Sequence, residues 1–175
     1  MFVEDFVSEY GKYRAIGEKA LAQVSEEGLN KVVAPGTNSI AMLVRHMSGN
    51  FVSRFTDFLS TDGEKPTRDR DNEFDDGHWS RAEIETAWQK GWAILEAALE
   101  ELVEDDLQNT VTIRGQKLAV HHALCRSLAH QAMHVGQIVL LARMVADAEW
   151  KWISIPKGQS KQYNLNPTLE RGPAR

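Results

Sequence analysis

Apolar residues recur along this chain at three- and four-residue steps in four separate stretches, a rhythm that predicts helices rather than strands. In the first, Phe2, Val3, Phe6, Tyr10, Tyr13, Gly17, Ala20, Leu21 and Val24 share a face. That helix is expected to run to about Glu27-Gly28, where glycine suits a helix C-terminus. The second follows Pro35-Gly36, with Thr37, Asn38 or Ser39 as its cap. Its stripe is Ile40, Leu43, Val44, Met47, Phe51, Phe55 and Phe58. The third opens at Ser80, where Ser80-Arg81-Ala82-Glu83 has the form of a capping box. Its apolar face is Ile84, Trp88, Trp92, Leu95, Leu99 and Leu102. The fourth is expected from about Leu118 to Val145.

Between these stretches the pattern changes. From about Thr61 to Trp79 periodicity disappears, and Asp, Arg, Gly and Pro dominate, which reads as a long connection. Thr110-Val111-Thr112-Ile113 and Gln116-Lys117-Leu118 flank Arg114-Gly115 and suggest a small hairpin. From Ala146 onward three prolines predict an irregular tail. Four amphipathic helices of roughly 20–27 residues, about 30–40 Å each, predict an all-α four-helix bundle. It is read as one domain spanning 1–175, with a long connection between helices 2 and 3 and a tail over about 146–175. The first two helices can be antiparallel neighbours, and the long connection leaves room for a crossover.

Composition narrows the function. The net charge of −5 opposes binding to a phosphate backbone. Arg45, Arg54, Arg68 and Arg70 are interspersed with acids rather than grouped, so no nucleic-acid partner is expected. The longest apolar run of the C-terminal half, Ile138-Val139-Leu140-Leu141-Ala142, is far too short to span a membrane. With Cys125 as the single cysteine and no leader-like start at Met1-Phe2-Val3-Glu4-Asp5, the expectation is a cytoplasmic protein.

The remaining chemistry lies in histidines. His130 and His134 are four residues apart and so diverge by only about 40° on the fourth helix. Two imidazoles at that spacing can converge on one ion. His46 flanks the apolar stripe of the second helix and can face the same interior. His121 lies about 180° from His130, and His122 about 80° from His130 and about 120° from His134. Both read as capping or surface residues, and His78 as solvated. Cys125, about 140° from His130 and about 180° from His134, reads as a core cysteine. Spacing alone leaves two readings open for His46, His130 and His134: a metal site, or ordinary hydrogen-bonded helical histidines. Of the neighbours, Gln137 can reach a bound water, while Asn50 and Arg126 read as outer residues. Glu73, Asp75 and Asp76 read first as a solvated acidic loop, with a hydrogen bond to a ligating imidazole as the alternative. Trp88 and Trp92 read as core.

The segment Ala129-His130-Gln131-Ala132-Met133-His134-Val135-Gly136-Gln137-Ile138, together with Leu43-Val44-Arg45-His46-Met47, resembles the DinB/YfiT-like superfamily of metal-dependent enzymes. Arg70-Asp71-Asn72-Glu73-Phe74 and Ser154-Ile155-Pro156-Lys157-Gly158-Gln159-Ser160 are similar to an uncharacterised branch of it. The resemblance covers nearly the whole chain. It implies a metal site on His46, His130 and His134, holding zinc or nickel, and a homodimer. Three neutral nitrogens suit zinc, nickel or copper better than magnesium or calcium, and they leave a coordination position open. Relatives in that superfamily include S-transferases and isomerases that use low-molecular-weight thiols. The resemblance therefore implies a thiol S-transferase acting on a small molecule, with a metal-dependent hydrolase or a non-catalytic metal-binding protein as alternatives.

Overall fold

The computed structural model describes residues 2–168 and is mostly helical over that range. Helix α1 (Phe2–Leu21) has Glu4 and Asp5 in its first turn and Lys19 in its last, as the helix dipole favours. It stops short of Gly28. Ser25 caps a separate short helix, α2 (Glu26–Asn30), its Oγ accepting from Gly28 N at 3.3 Å. The Ser-Glu-Glu start is a helix beginning in its own right, so Gly28 lies inside α2 rather than ending α1.

Ser39 begins α3 (Ile40–Phe55), its hydroxyl accepting from Met42 N at 3.2 Å. The helix ends before Phe58, because Thr56 is extended and Asp57 has φ of 49°. Phe58 is still buried, its ring centroid 5.0 Å from that of Phe55. Helix α4 (Arg81–Glu100) starts with the expected reciprocal cap: Ser80 Oγ accepts from Glu83 N, and Glu83 Oε2 accepts from Ser80 N. The hairpin is also present, as β1 (Thr110–Ile113) antiparallel to β2 (Gln116–Ala119), with Ile113 opposite Gln116. Arg114 and Gly115 both have positive φ, as a two-residue turn of the type that matches strand twist requires. Helix α5 (Val120–Val145) follows directly. The segment after it is irregular apart from the single turn α6 (Ser160–Tyr163), although Trp150 and Ile153 pack against the core. The end of the expected tail, 169–175, lies outside the described residues.

The most extensive helix contacts are α3 on α4 and α1 on α5, with smaller ones between α3 and α5 and between α1 and α4. Around the core the order is therefore α1, α5, α3, α4. The expected pairing of the first two long helices is not a major contact, because α2 packs on α3 and α5 and carries the chain across. Tyr10, Leu43, Met47, Phe51, Ile84, Trp92, Leu95, Leu124 and Ile138 fill the centre. Complete burial of a side chain of this kind contributes about 1.5–3 kcal/mol. Tyr10 donates its hydroxyl to Leu124 O at 3.0 Å, so the buried phenol is satisfied. At Gly91 a Cβ would lie 2.8 Å from Ser48 Cα, so α3 and α4 meet backbone to backbone there. No helix among the described residues is long and apolar enough to cross a membrane.

The connection from α3 to α4 is anchored at two places. Near its start, Asp62 accepts from the backbone N–H groups of Glu64, Arg114 and Gly115 at 2.7, 2.8 and 2.7 Å. These bonds lower its pKa to about 2 and fasten the connection to the hairpin turn. Further along, a 3-10 turn over Asp71–Phe74 packs on α3.

Candidate metal centre

Helix α3 supplies His46, and α5 supplies His130 and His134, so the small α3–α5 contact is where the three rings meet. His130 Nε2 lies 3.3 Å from His46 Nε2 and 3.1 Å from His134 Nε2. One nitrogen from each ring falls within 4.8 Å of the other two. Zinc–nitrogen bonds of about 2.0–2.1 Å in a tetrahedral shell place ligand nitrogens about 3.3 Å apart. The two spacings that involve His130 fit that value. His46 and His134 are buried and His130 half-buried.

The outward nitrogens explain why the inward ones are available. His46 Nδ1 donates to Glu73 Oε2 at 2.8 Å, and His134 Nδ1 donates to Gln137 Oε1 at 2.8 Å. Both rings then present an unprotonated Nε2 to the centre. The third ring lies beside Gln131, whose amide Nε2 is 3.4 Å from His130 Nδ1 and 3.3 Å from Asn50 Oδ1. Gln131 Oε1 is buried without a hydrogen-bond partner among the described residues. Half-turns of the Gln131 and Asn50 amides bring Oε1 against His130 Nδ1, giving the third imidazole an acceptor as well. All three rings can thus offer Nε2 lone pairs. The donor set fits a borderline divalent ion.

Electrostatics point the same way. Burial, then the neighbouring His134 and His46, then Arg68 and Arg54, push the pKa of His130 down to about 4. Burial also lowers that of His134, against the hydrogen bond to Gln137. Neutral imidazoles are the ligating form. Burial would raise the pKa of Glu73. Its hydrogen bonds with His46 and Arg68, and the Arg68 charge, outweigh that and hold it below the usual carboxylate value. Arg68 Nε donates to Glu73 Oε1 at 2.8 Å, completing an arginine–carboxylate–imidazole chain.

Several residues sit where the sequence did not place them. Glu73 belongs to the acidic connection yet is buried, whereas Asp75 and Asp76 are exposed. Gln131 is only a spacer in the sequence pattern but is completely buried, and Asn50 is buried against it. Gln137 engages His134 directly rather than a solvent position. Cys125 is exposed, not core, since the face of α5 opposite an inward-pointing His134 is the outer one. His121, His122 and His78 are exposed and apart from the cluster, as expected, with His121 Nδ1 2.9 Å from Leu107 O. Trp88 and Trp92 are core. A cavity of about 200 Å³ reaches the centre from the side of the hairpin, touching His46 and His130.

Among known proteins, a family model described as a protein of unknown function (DUF1572) matches residues 1–159. No curated protein and no solved structure matches the chain.

Proposed function

The chain belongs to the DUF1572 family, a description that names no chemistry, and we propose from the site itself a divalent-metal-binding protein that acts as a metal-dependent thiol S-transferase on a small molecule. The fold reading that goes with it is a four-helix bundle of the DinB/YfiT-like type. The packing order of the four long helices and the ligands on the second and fourth of them support it. His46, His130 and His134 hold the ion, zinc or nickel, with Glu73 and Gln137 orienting two of the rings.

One observation carries the choice of reaction: among the described residues no carboxylate lines the cavity beside His46 and His130. Hydrolysis commonly needs a nearby base to manage the proton of the attacking water. Glu73, the one buried carboxylate close by, is engaged by His46 and Arg68. When bound, a divalent ion would supply the acidity for a thiol at the open position to lose its proton to solvent water, with no separate base. The thiolate sulfur then forms a bond to an electrophilic carbon as that carbon's leaving group departs with its electron pair. The chain's own part is to hold the rings neutral, exclude water with Phe55 and Phe58, and receive the electrophile in the cavity.

The assembly reading is a homodimer. Met133, Leu140 and Met144 are exposed and lie within about 40° of one another around α5, a face suited to a second copy. No nucleic acid is a partner in this reading, and the place of action is the cytoplasm.

The deciding experiment incubates metal-loaded protein with a panel of low-molecular-weight thiols and monochlorobimane. Metal-dependent conjugation is expected, and the His134→Ala variant should stay at background. Hydrolysis of esters or amides without any thiol turnover would establish the hydrolase instead. Metal binding with neither activity would leave a non-catalytic protein.

A further inference from the structure

Arginines that are interspersed with acids along the sequence converge in space. Arg54, Arg68, Arg70, Arg114 and Arg126 all line the cavity next to His46 and His130, and among the described residues no acidic side chain does. Arg54 and Arg114 share Glu64, each at 3.0 Å from Oε2, and Arg68 is paired with Glu73. Two carboxylates therefore face five guanidinium groups, leaving three positive charges uncompensated in a protein of net charge −5. The Arg54 and Arg68 side chains are largely buried, with 14% and 5% exposed, so their charge is poorly screened.

The two at the mouth are free to act. Arg126 has no hydrogen-bond or ionic partner among the described residues, and Arg70 has only the Phe74 ring, 5.1 Å below its guanidinium carbon. Guanidinium groups gathered without counter-charges repel one another, and a planar anion that accepts two N–H bonds from a guanidinium relieves that repulsion. Phe55, Phe58, Ile113 and Ala123 give the same cavity an apolar wall. Its volume of about 200 Å³ is below the roughly 300–1,000 Å³ of sites for drug-sized ligands, which suits a small molecule.

We propose that this cavity is the binding site for a small anionic molecule, its carboxylate or phosphate held by Arg70 and Arg126 and its uncharged end directed at the histidine centre. The assignment of the inner end as the reacting one rests on the function proposed above. The anion site itself does not.

The test titrates zinc-loaded protein, and in parallel chelator-treated protein, with inorganic phosphate and with succinate at constant ionic strength, followed by calorimetry. Metal content is measured separately on the same samples. Binding of at least one anion is expected in both preparations, weakened about ten- to hundredfold by Arg126→Gln or Arg70→Gln and unchanged by Arg143→Gln, outside the cavity. Preference for phosphate or succinate tells a phosphate-bearing ligand from a carboxylate one. Absence of anion binding in zinc-loaded protein, or equal binding by the Arg70 and Arg126 variants, overturns the proposal while leaving the metal reading intact. Anion binding by wild-type protein that takes up no zinc on loading would reject the metal reading and keep this one.

Discussion

The carboxylate of Glu73 occupies the space that a side chain at Gly49 would fill: a Cβ built there overlaps Glu73 Oε1 and lies 2.7 Å from Cδ. Gly49 is three residues beyond His46 on α3, so the helix leaves a notch for the acceptor of its own histidine. Gly49→Ala is therefore expected to push Glu73 off His46. Metal affinity should fall about ten- to hundredfold, as for loss of a hydrogen-bond partner to a ligating histidine. Stability should fall by about 1–3 kcal/mol from overpacking. Competition with a chromophoric chelator measures the first and denaturant unfolding the second. Wild-type affinity in Gly49→Ala would show that Glu73 does not orient the ring.

Gln131 provides a test on the other helix. Replacing it with leucine keeps the volume but removes the amide beside His130 Nδ1. Weaker metal binding is expected from Gln131→Leu. Gln131→Glu should restore it, since a carboxylate accepts the same proton. If both variants bind metal like wild type, the amide serves packing alone.

A panel of single alanine variants addresses the ligands. His46→Ala, His130→Ala and His134→Ala should each purify with sharply reduced metal, whereas His121→Ala and His122→Ala should retain it. Elemental analysis decides, and uniform retention across the five would reject the site. In wild-type protein, chelation should lower the melting temperature, because metal bound only by the folded state stabilises by mass action. Helical circular dichroism should persist, given the apolar core that the four long helices share.

Acid should weaken the metal-free protein through the same residues. The folded pKa of His130 is about 4, below the ordinary 6.5, and that of His134 is also lowered. The unfolded chain then binds protons first as pH falls, so their contribution is fully present above about 6.5. It is lost progressively down to about 4. Urea unfolding of chelated protein at pH 7 and pH 4.5 should show the decline, and His130→Ala should show a shallower one. An identical slope in the variant would assign the acid sensitivity elsewhere.

Much of this was legible in the sequence. Periodicity located the four long helices, Ser80 and Glu83 marked a helix start, and Arg114-Gly115 marked a hairpin. The four-residue spacing of His130 and His134 was readable because a helix converts sequence distance into angle. Glu73 was legible only as one of three candidate acceptors: inside an aperiodic, charged segment nothing separates the buried carboxylate from its solvated neighbours Asp75 and Asp76. The gathering of five arginines from α3, the connection, the hairpin and α5 was equally hidden, since charge patterning along a chain says nothing about which segments later share a wall. The neighbour order of the helices was set by α2, too short to leave a periodic signature.

Asp62 holds Gly115 and Arg114 by their backbone N–H groups, and Gly63 N donates to Thr112 O at 2.8 Å. One side of the cavity is therefore a stitched flap of connection and hairpin, while the imidazoles stand on the helices behind it. The two can be inherited separately. Exchanging flap residues such as Arg70, Thr112 or Ile113 alters what the cavity admits without disturbing a ligand. A lineage built on this scaffold can change what the cavity admits while keeping its three histidines.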